Sequence, residues 1–427
     1  MKFLSQTPMI KLRNRLERLL GIIDREDVCM SPRMRLYLTV FLGVMSAMAP
    51  LATDMYLPAL PVLQADFGVS ASVAQLTLTM TMLGMAAGQM LMGPLSDRYG
   101  RKRPLLLGML GFTAAAVGCA AAESVPLFLA FRFLMGFSGA SGIVISRAIA
   151  RDVCKGPELT RFFAILMMVN GLAPVIAPVI GGQILLFSSW RGVFVLLIAV
   201  GLVQAGATLV YRETLVPEQR IDGLAASFRK FPELLRDRYI VGHCLVQCFV
   251  FGAFFAYLAG SSFLFQNIYH VSPQTYSYIF GGIGIGLLVV GMVPARLAGR
   301  VPDISLLRWS LTIPLAGAVL LLAGFLAAAP IWYTIPVLLV TIVPLSVMGT
   351  ASFSLALSRQ GRNAGSTSAL IGCAQMILGG AMMPVVGIAG DHTAVPMGII
   401  MLTGYLLANI VFRKLIAPAH VGEKRRR

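Results

Sequence analysis

Charge is scarce in this chain: 12% of its 427 residues are Asp, Glu, Lys or Arg, against roughly 25% in soluble domains. An ordinary soluble globular fold is excluded on that ground. Histidine is scarcer, four in all: His243 and His270 near the ends of apolar runs, His392 in a loop, His420 in the tail. None has a second ligand at metal spacing, so no metal site is expected. The six cysteines, at 29, 119, 154, 244, 248 and 373, include no CxxC pair, and only Cys244 and Cys248 share a helix face. Neither a disulfide scaffold nor a thiolate metal centre is expected from them. The chain also lacks GxxxxGK[ST], HExxH and a nucleophile elbow. A self-contained ATP-driven pump and an intramembrane hydrolase or transferase are disfavoured accordingly.

What is abundant is apolar sequence, 57% of the residues. Runs of about 20 apolar residues recur, each long enough to cross the bilayer core. They are continuous rather than alternating, which predicts helices and not a barrel. The fold class expected is an all-α membrane protein of about twelve transmembrane helices. The spans are placed near 36–60, 71–94, 104–122, 126–147, 162–187, 192–211, 240–265, 275–295, 305–328, 331–356, 364–389 and 394–413. The formal net charge of +17 is a matter of topology: 33 of the 35 Lys and Arg fall in the two tails and on alternate loops. By the positive-inside rule both termini are cytoplasmic, and the expected location is a cytoplasmic (inner) membrane crossed many times. No segment is long enough to carry a soluble nucleic-acid-binding domain. The amino-terminal KLRNRLERLL lacks an apolar core followed by a small-residue cleavage site, so no cleavable leader is expected.

The longest polar stretch, RETLVPEQRIDGLAASFRKFPELLRDR at 212–238, divides the chain into related halves. GPLSDRYGR (93–101) has an echo in GMVPARLAGR (291–300), and APVIGG (177–182) one in MPVVG (383–387), both at offsets near 200 residues. Weak internal symmetry of this kind marks secondary transporters. The organisation expected is a cytoplasmic extension at 1–35, a six-helix half at 36–211, a linker at 212–239, a second six-helix half at 240–414 and a basic tail at 415–427. Within the extension, Leu12, Leu16, Leu19, Leu20 and Ile23 lie at helical spacing among basic residues. That pattern fits either an amphipathic helix on anionic lipid or a basic tail.

Two charges interrupt the apolar runs. Asp54 lies in span one, within APLATDMYLPALP, and Arg132 in span four, at comparable depths in the outer half. A lipid-facing charge costs about 2.5–3.5 kcal/mol on insertion scales, so each is expected to face an interior cavity, the other charge, or both. Burial favours a protonated carboxyl and a nearby guanidinium favours the charged one, so a site holding both responds to whatever enters it. Pro58 and Pro61 are expected to bend or end span one at the cavity mouth. Gln75, Asn170, Gln247, Tyr257 and Gln375 are candidates to line that cavity, with interhelical hydrogen bonding as the plainer role for each.

The segment GPLSDRYGRKRPL (93–105) resembles the loop-two signature of the major facilitator superfamily, G-x-L-x-D-R-x-G-R-K-x-x-L, at every specified position. TDMYLPALP (53–61), Arg132 with Gly136, and APVIGG narrow the resemblance to the bicyclomycin-resistance (Bcr/CflA) type of drug/proton antiporter, over essentially the whole chain. The resemblance implies a major facilitator fold, two pseudo-symmetric six-helix halves rocking about a central cavity. It implies proton coupling and substrate recognition at Asp54 and Arg132. Gly93, Asp97, Arg98, Gly100, Arg101 and Lys102 would form a gate motif latching the halves at the cytoplasmic side. Pro178, Gly181 and Gly182 would form the span-five element associated with export, kinking that helix. Three departures carry consequences. Ala177 replaces the Gly usual in that element. Ser46 stands where some multidrug members have a second acid, so dual-acid coupling and a preference for dications are not expected. Ala295 stands in the second half where Asp97 stands in the first, so no symmetric latch is expected.

The function expected is proton-coupled antiport of drugs or other small molecules by alternating access. A specific exporter of nucleoside-like or amino-acid-like metabolites is the nearest alternative, and an uptake symporter or intramembrane enzyme are more distant ones. No cofactor is expected beyond the proton as coupling ion. The expected partners are a small-molecule substrate, protons and lipid, with a monomeric chain and no nucleic acid.

Overall fold

The structure, a computed structural model, describes residues 32–153, 156–215, 234–297, 299–358 and 364–418. The candidate amphipathic helix at 9–23, most of the linker, the loop RQGR (359–362), Cys29, Cys154 and the end of the tail lie outside the described residues.

Among the described residues the secondary structure is helical throughout. Among the described residues nine helices are each long and apolar enough to cross a bilayer, and a bent pair, Tyr37–Met48 with Pro50–Phe67, makes a tenth. The helices Ala71–Tyr99 and Gly156–Ile184 occupy the places expected for spans two and five. Span two is less apolar for a reason: Gln75, Thr77, Thr79 and Thr81 are all buried on it, and they bond to other helices or to their own backbone rather than face lipid.

Span one departs from expectation. The helix Pro32–Asp54 stops at the carboxylate, a 3-10 turn follows at Leu57–Ala59, and Leu60–Phe67 resumes before the left-handed Gly68 (φ 61°). Pro58 and Pro61 therefore do not end the span. Each sits in the first turn of its element, where a missing N–H costs nothing. The bend lies upstream at Pro50, inside the first helix, where proline removes an intrahelical bond; the axis turns there by 46°. Asp54 consequently sits at an internal break of the span.

Glycines set how closely the first-half helices approach. A Cβ on Gly84 would overlap the Phe133 carbonyl, one on Gly88 the Phe137 carbonyl, and one on Gly136 the Thr81 carbonyl. Spans two and four (Val125–Val153) thus touch backbone to backbone, the small-residue packing of membrane helices. Span five is one uninterrupted helix through Pro174 and Pro178, so the kink expected at Pro178 does not break it. Its close contacts fall at Gly181, against the Met55 carbonyl, and at Gly182, against Ser277.

Two seams join residues 36–211 to residues 240–414. Span two packs on span eleven (Ala364–Val386), and span five on span eight (Pro273–Gly291).

Candidate functional site

Asp54 is buried, and among the described residues no other acid is. Its hydrogen-bond partner is the Thr53 hydroxyl, which donates to Oδ1 at 3.0 Å. Across the seam the carboxylate lies within electrostatic reach of the Tyr257 and Tyr276 hydroxyls. Tyr276 shares a hydrogen bond of 3.0 Å with Ser261. The Tyr257 hydroxyl is buried with no partner among the described residues, its ring stacked on Phe280 at 5.8 Å. The first half thus supplies the acid and the second half supplies hydroxyls.

Arg132 is fully buried, but it does not pair with Asp54. Its Nη1 donates to the Ala52 carbonyl at 2.9 Å and its Nε to the Thr77 carbonyl at 3.3 Å. The guanidinium lies over the Tyr56 ring at 4.6 Å and near the Phe194 ring at 5.7 Å, and Nη2 has no partner among the described residues. The cause is local. Gly136 pins span four to Thr81 one turn further along, which delivers Arg132 to the Thr77 carbonyl. The span-one break then exposes Ala52 to it and swings Tyr56 under it. A cation held by carbonyl oxygens and aromatic faces needs no carboxylate. Of the two arrangements open to these charges, the structure holds them apart, joined through the backbone between Ala52 and Asp54.

The other candidates separate. Gln75 Nε2 donates to the Ala259 carbonyl at 3.2 Å across the seam, leaving Oε1 without a partner among the described residues. Gln375 donates to Gln247 Oε1 at 2.7 Å, leaving Gln247 Nε2 likewise. Asn170 is half-buried on span five. Ser46, in place of a second acid, returns its hydroxyl to the Gly43 carbonyl at 2.9 Å.

Hydrogen bonds between the halves gather at the end of the bundle away from the 93–103 loop. Ser72 donates to the Pro384 carbonyl at 2.6 Å, Thr79 to Gly380 at 2.7 Å, Gln266 to Pro58 at 3.2 Å and Gln274 to Gly182 at 2.8 Å, and Ser262 donates to Leu57. Asp391 Oδ2 accepts from Gln64 of the first half and Asn267 of the second. Nearby, Asp66 accepts from Trp190 and from Arg191, each at 2.9 Å, anchoring the Leu60–Phe67 helix. This end is sealed, with Gly181 and Gly182 inside the seal.

At the other end, the gate motif is organised within its own half. Arg101 is buried and bonds Asp97, Ser96 and Asp152, the last at 2.8 Å. Burial disfavours its charge, and the hydrogen bonds to Asp152 and Asp97 more than offset this, holding its pKa above the usual arginine value. Glu213 belongs to the same cluster, though no motif marks it in the sequence. Its carboxylate accepts from the Arg101 and Lys102 amides at 2.8 and 3.1 Å, capping the helix Lys102–Ala121. Lys102 Nζ in return donates to the Leu209 carbonyl at 2.7 Å, at the end of Arg191–Val210. Both contacts oppose charge to helix dipole. Gly100 (φ 89°) supplies the turn, and Gly93 packs on Val144. Removing one partner of a buried pair costs about 3–5 kcal/mol, whereas an exposed substitution stays within about 0.5 kcal/mol. Arg101→Ala is therefore expected to lower the melting temperature in detergent markedly and the exposed Arg103→Ala hardly at all; equal melting of the two variants refutes the buried-pair account.

A bundle of apolar spanning helices with, among the described residues, one enclosed acid, an enclosed guanidinium within a span and a polar seal at one end is the build of a membrane protein that passes small solutes. Residues 42–384 match the family model of the Major Facilitator Superfamily. The chain belongs to that superfamily, is a multi-pass transporter rather than an enzyme, and resembles its bicyclomycin-resistance type. It is 37% identical to the uncharacterized MFS-type transporter YdgK of Bacillus subtilis, over 88% of this chain and 95% of that one. It is 31% identical to a bicyclomycin resistance protein homolog of Haemophilus influenzae, over 83% and 90%. A chloramphenicol resistance protein of Pseudomonas aeruginosa is 31% identical, over 69% and 71%. Among solved structures, a D-xylose-proton symporter superposes with a TM-score of 0.73 at 15% identity, covering 89% of this chain and 98% of that one. That likeness concerns the fold alone.

Proposed function

We propose that this chain is a proton-coupled exporter of drugs or similar small molecules, working by alternating access. One observation carries the reading: Asp54, the single buried acid among the described residues, lies at a helix break on the seam between the halves. An enclosed carboxylate is stable when protonated or when a compensating cation or dipole adjoins it, so its proton occupancy and its surroundings change together. The drug-resistance names of the relatives support efflux as the direction.

In this scheme 36–211 and 240–414 are the moving halves and 212–239 is the linker between them. The positive-inside rule makes the end with the 93–103 loop cytoplasmic, in a bacterial inner membrane, so the sealed end faces outward. Substrate enters from the cytoplasm and the proton leaves Asp54 toward it. After the halves rock, Asp54 takes an external proton as the substrate departs. The membrane potential contributes about 2.3 kcal/mol per charge per 100 mV. The coupling ion is the proton and no cofactor takes part. Gln75, Asn170, Gln247, Tyr257 and Gln375 supply polar contacts along the path. A monomer suffices.

The test is made in energised everted vesicles with chloramphenicol and bicyclomycin as probes. The expected result is probe accumulation in the lumen with luminal alkalinisation, in vesicles containing the protein and not in those lacking it. Probe movement in the same direction as protons would make the protein a symporter and end the antiport reading.

A further inference from the structure

Span four carries two further arginines besides Arg132, and the positive-inside pattern is the one role given to them. Arg147 lies nearly two turns inside the end of Val125–Val153, and Arg151 one turn further on. From 139 to 150 the helix is buried except for the half-buried Val144 and the exposed Arg147. Solvent therefore reaches Arg147 in a stretch that is otherwise enclosed. Protein atoms crowd it nonetheless, and Arg151 is close enough for their charges to repel. Its direction follows from helix geometry. At about 100° per residue, the exposed Leu127 and Leu134 of the same helix lie on nearly the opposite face. Those leucines mark the lipid side, so Arg147 points away from lipid, toward the interior of the bundle.

Neither arginine has a hydrogen bond or ion pair among the described residues. Among the described residues, four acids toward this end of the bundle have other partners. Asp152 is taken by Arg101 and Thr214, Asp97 by Arg101, Glu213 by the Arg101 and Lys102 amides, and Asp303 by Ser354. Like charges one turn apart destabilise a helix unless something joins them. Topology alone is a poor reason for the arrangement, because an orienting charge serves as well on a loop, and Arg147 lies within the helix. Deeper on the same helix, Arg132 leaves Nη2 without a partner. Against these three guanidiniums stands one buried acid among the described residues, Asp54.

We propose that Arg147 and Arg151 form a subsite for an oxyanion, and that the molecules this protein accepts are neutral or carry a carboxylate or similar group, while cations are turned away. The paired guanidinium forks match a carboxylate or phosphate in shape as well as charge. The subsite itself stands on the geometry; its place on a substrate path rests on the export reading. Exchange of an outgoing anion for an incoming proton moves charge in one electrical sense twice, so the potential drives both legs.

The test uses three coumarins of one ring system, bearing a carboxylate, a carboxamide or a trimethylammonium group. Their binding to the purified full-length protein, in detergent free of anionic lipid, is followed by fluorescence anisotropy. The carboxylate is expected to bind at least about tenfold tighter than the trimethylammonium compound, with an advantage that shrinks as salt rises. In Arg147→Gln/Arg151→Gln the three affinities converge, and in Arg147→Lys/Arg151→Lys most of the preference remains, which separates lost charge from lost fold. Equal or tighter binding of the cation, no saturable carboxylate binding, or a preference that survives the double Gln variant overturns the proposal. Displacement of the carboxylate by added phosphatidylglycerol assigns the arginines to a lipid headgroup and overturns the substrate reading. Carboxylate binding without any transport in vesicles would refute the export function and leave the subsite standing.

Discussion

Asp54→Asn abolishes probe-driven proton exchange in everted vesicles, by at least about a hundredfold if one protonation step limits coupling, while probe counterflow persists. The amide keeps the size of the side chain and an oxygen for the Thr53 hydroxyl, whose bond to Oδ1 is the one described for this carboxylate. It has no ionisable proton. Packing at the break in span one is thereby retained and the coupling chemistry is removed. Folding is checked by melting, which should move little because no ion pair is lost: Arg132 keeps the Ala52 and Thr77 carbonyls. Asp54→Glu, which retains a titrating group at altered reach, should recover part of the exchange. Undiminished coupling in the Asn variant would remove Asp54 from the mechanism.

Gly181→Leu is expected to tilt the conformational balance away from the sealed form. Even a single Cβ at this position would overlap the Met55 carbonyl oxygen, next to Asp54 and within the seal. Overpacking costs about 1–3 kcal/mol, and a methyl set against backbone has little means of relief. At about 1.4 kcal/mol per factor of ten, the sealed population should fall by about tenfold to a hundredfold. The readout is a cysteine placed at Ser262, which in the sealed form is buried and bonded to the Leu57 carbonyl. A membrane-impermeant maleimide should label it from the sealed side much faster in the Gly181→Leu background. Gly206→Leu is the control, since nothing lies within 4 Å of a Cβ there. Identical labelling in both backgrounds would show that Gly181 is not part of the seal.

Much of the architecture is readable from hydropathy because lipid enforces it: a chain with so few charges has no other way to satisfy its backbone. The same scarcity singles out Asp54 and Arg132 without any structure. What escapes is the pairing. Arg132 binds backbone carbonyls and aromatic faces, and a carbonyl has no letter in the sequence. The position of the bend escapes for a similar reason. Three prolines lie between 50 and 61, and which one distorts the helix depends on where each falls relative to a helix start. Glu213 sits in a charged stretch, RETLVPEQR, where nothing in the residue order distinguishes it from a solvated acid. Its meeting with Lys102 depends on two helix ends lying side by side. Tyr257 was a cavity candidate, but its nearness to the carboxylate is a relation between halves some 200 residues apart.

Where Gly84, Gly88 and Gly136 let two main chains touch, there is no side-chain cushion to absorb sliding. The paired helices must travel as one plate, carrying the Arg132 anchor with them. Whatever flexes when the molecule turns itself over has to be sought elsewhere, and the elbow at Pro50 is the nearest place with a backbone bond already missing.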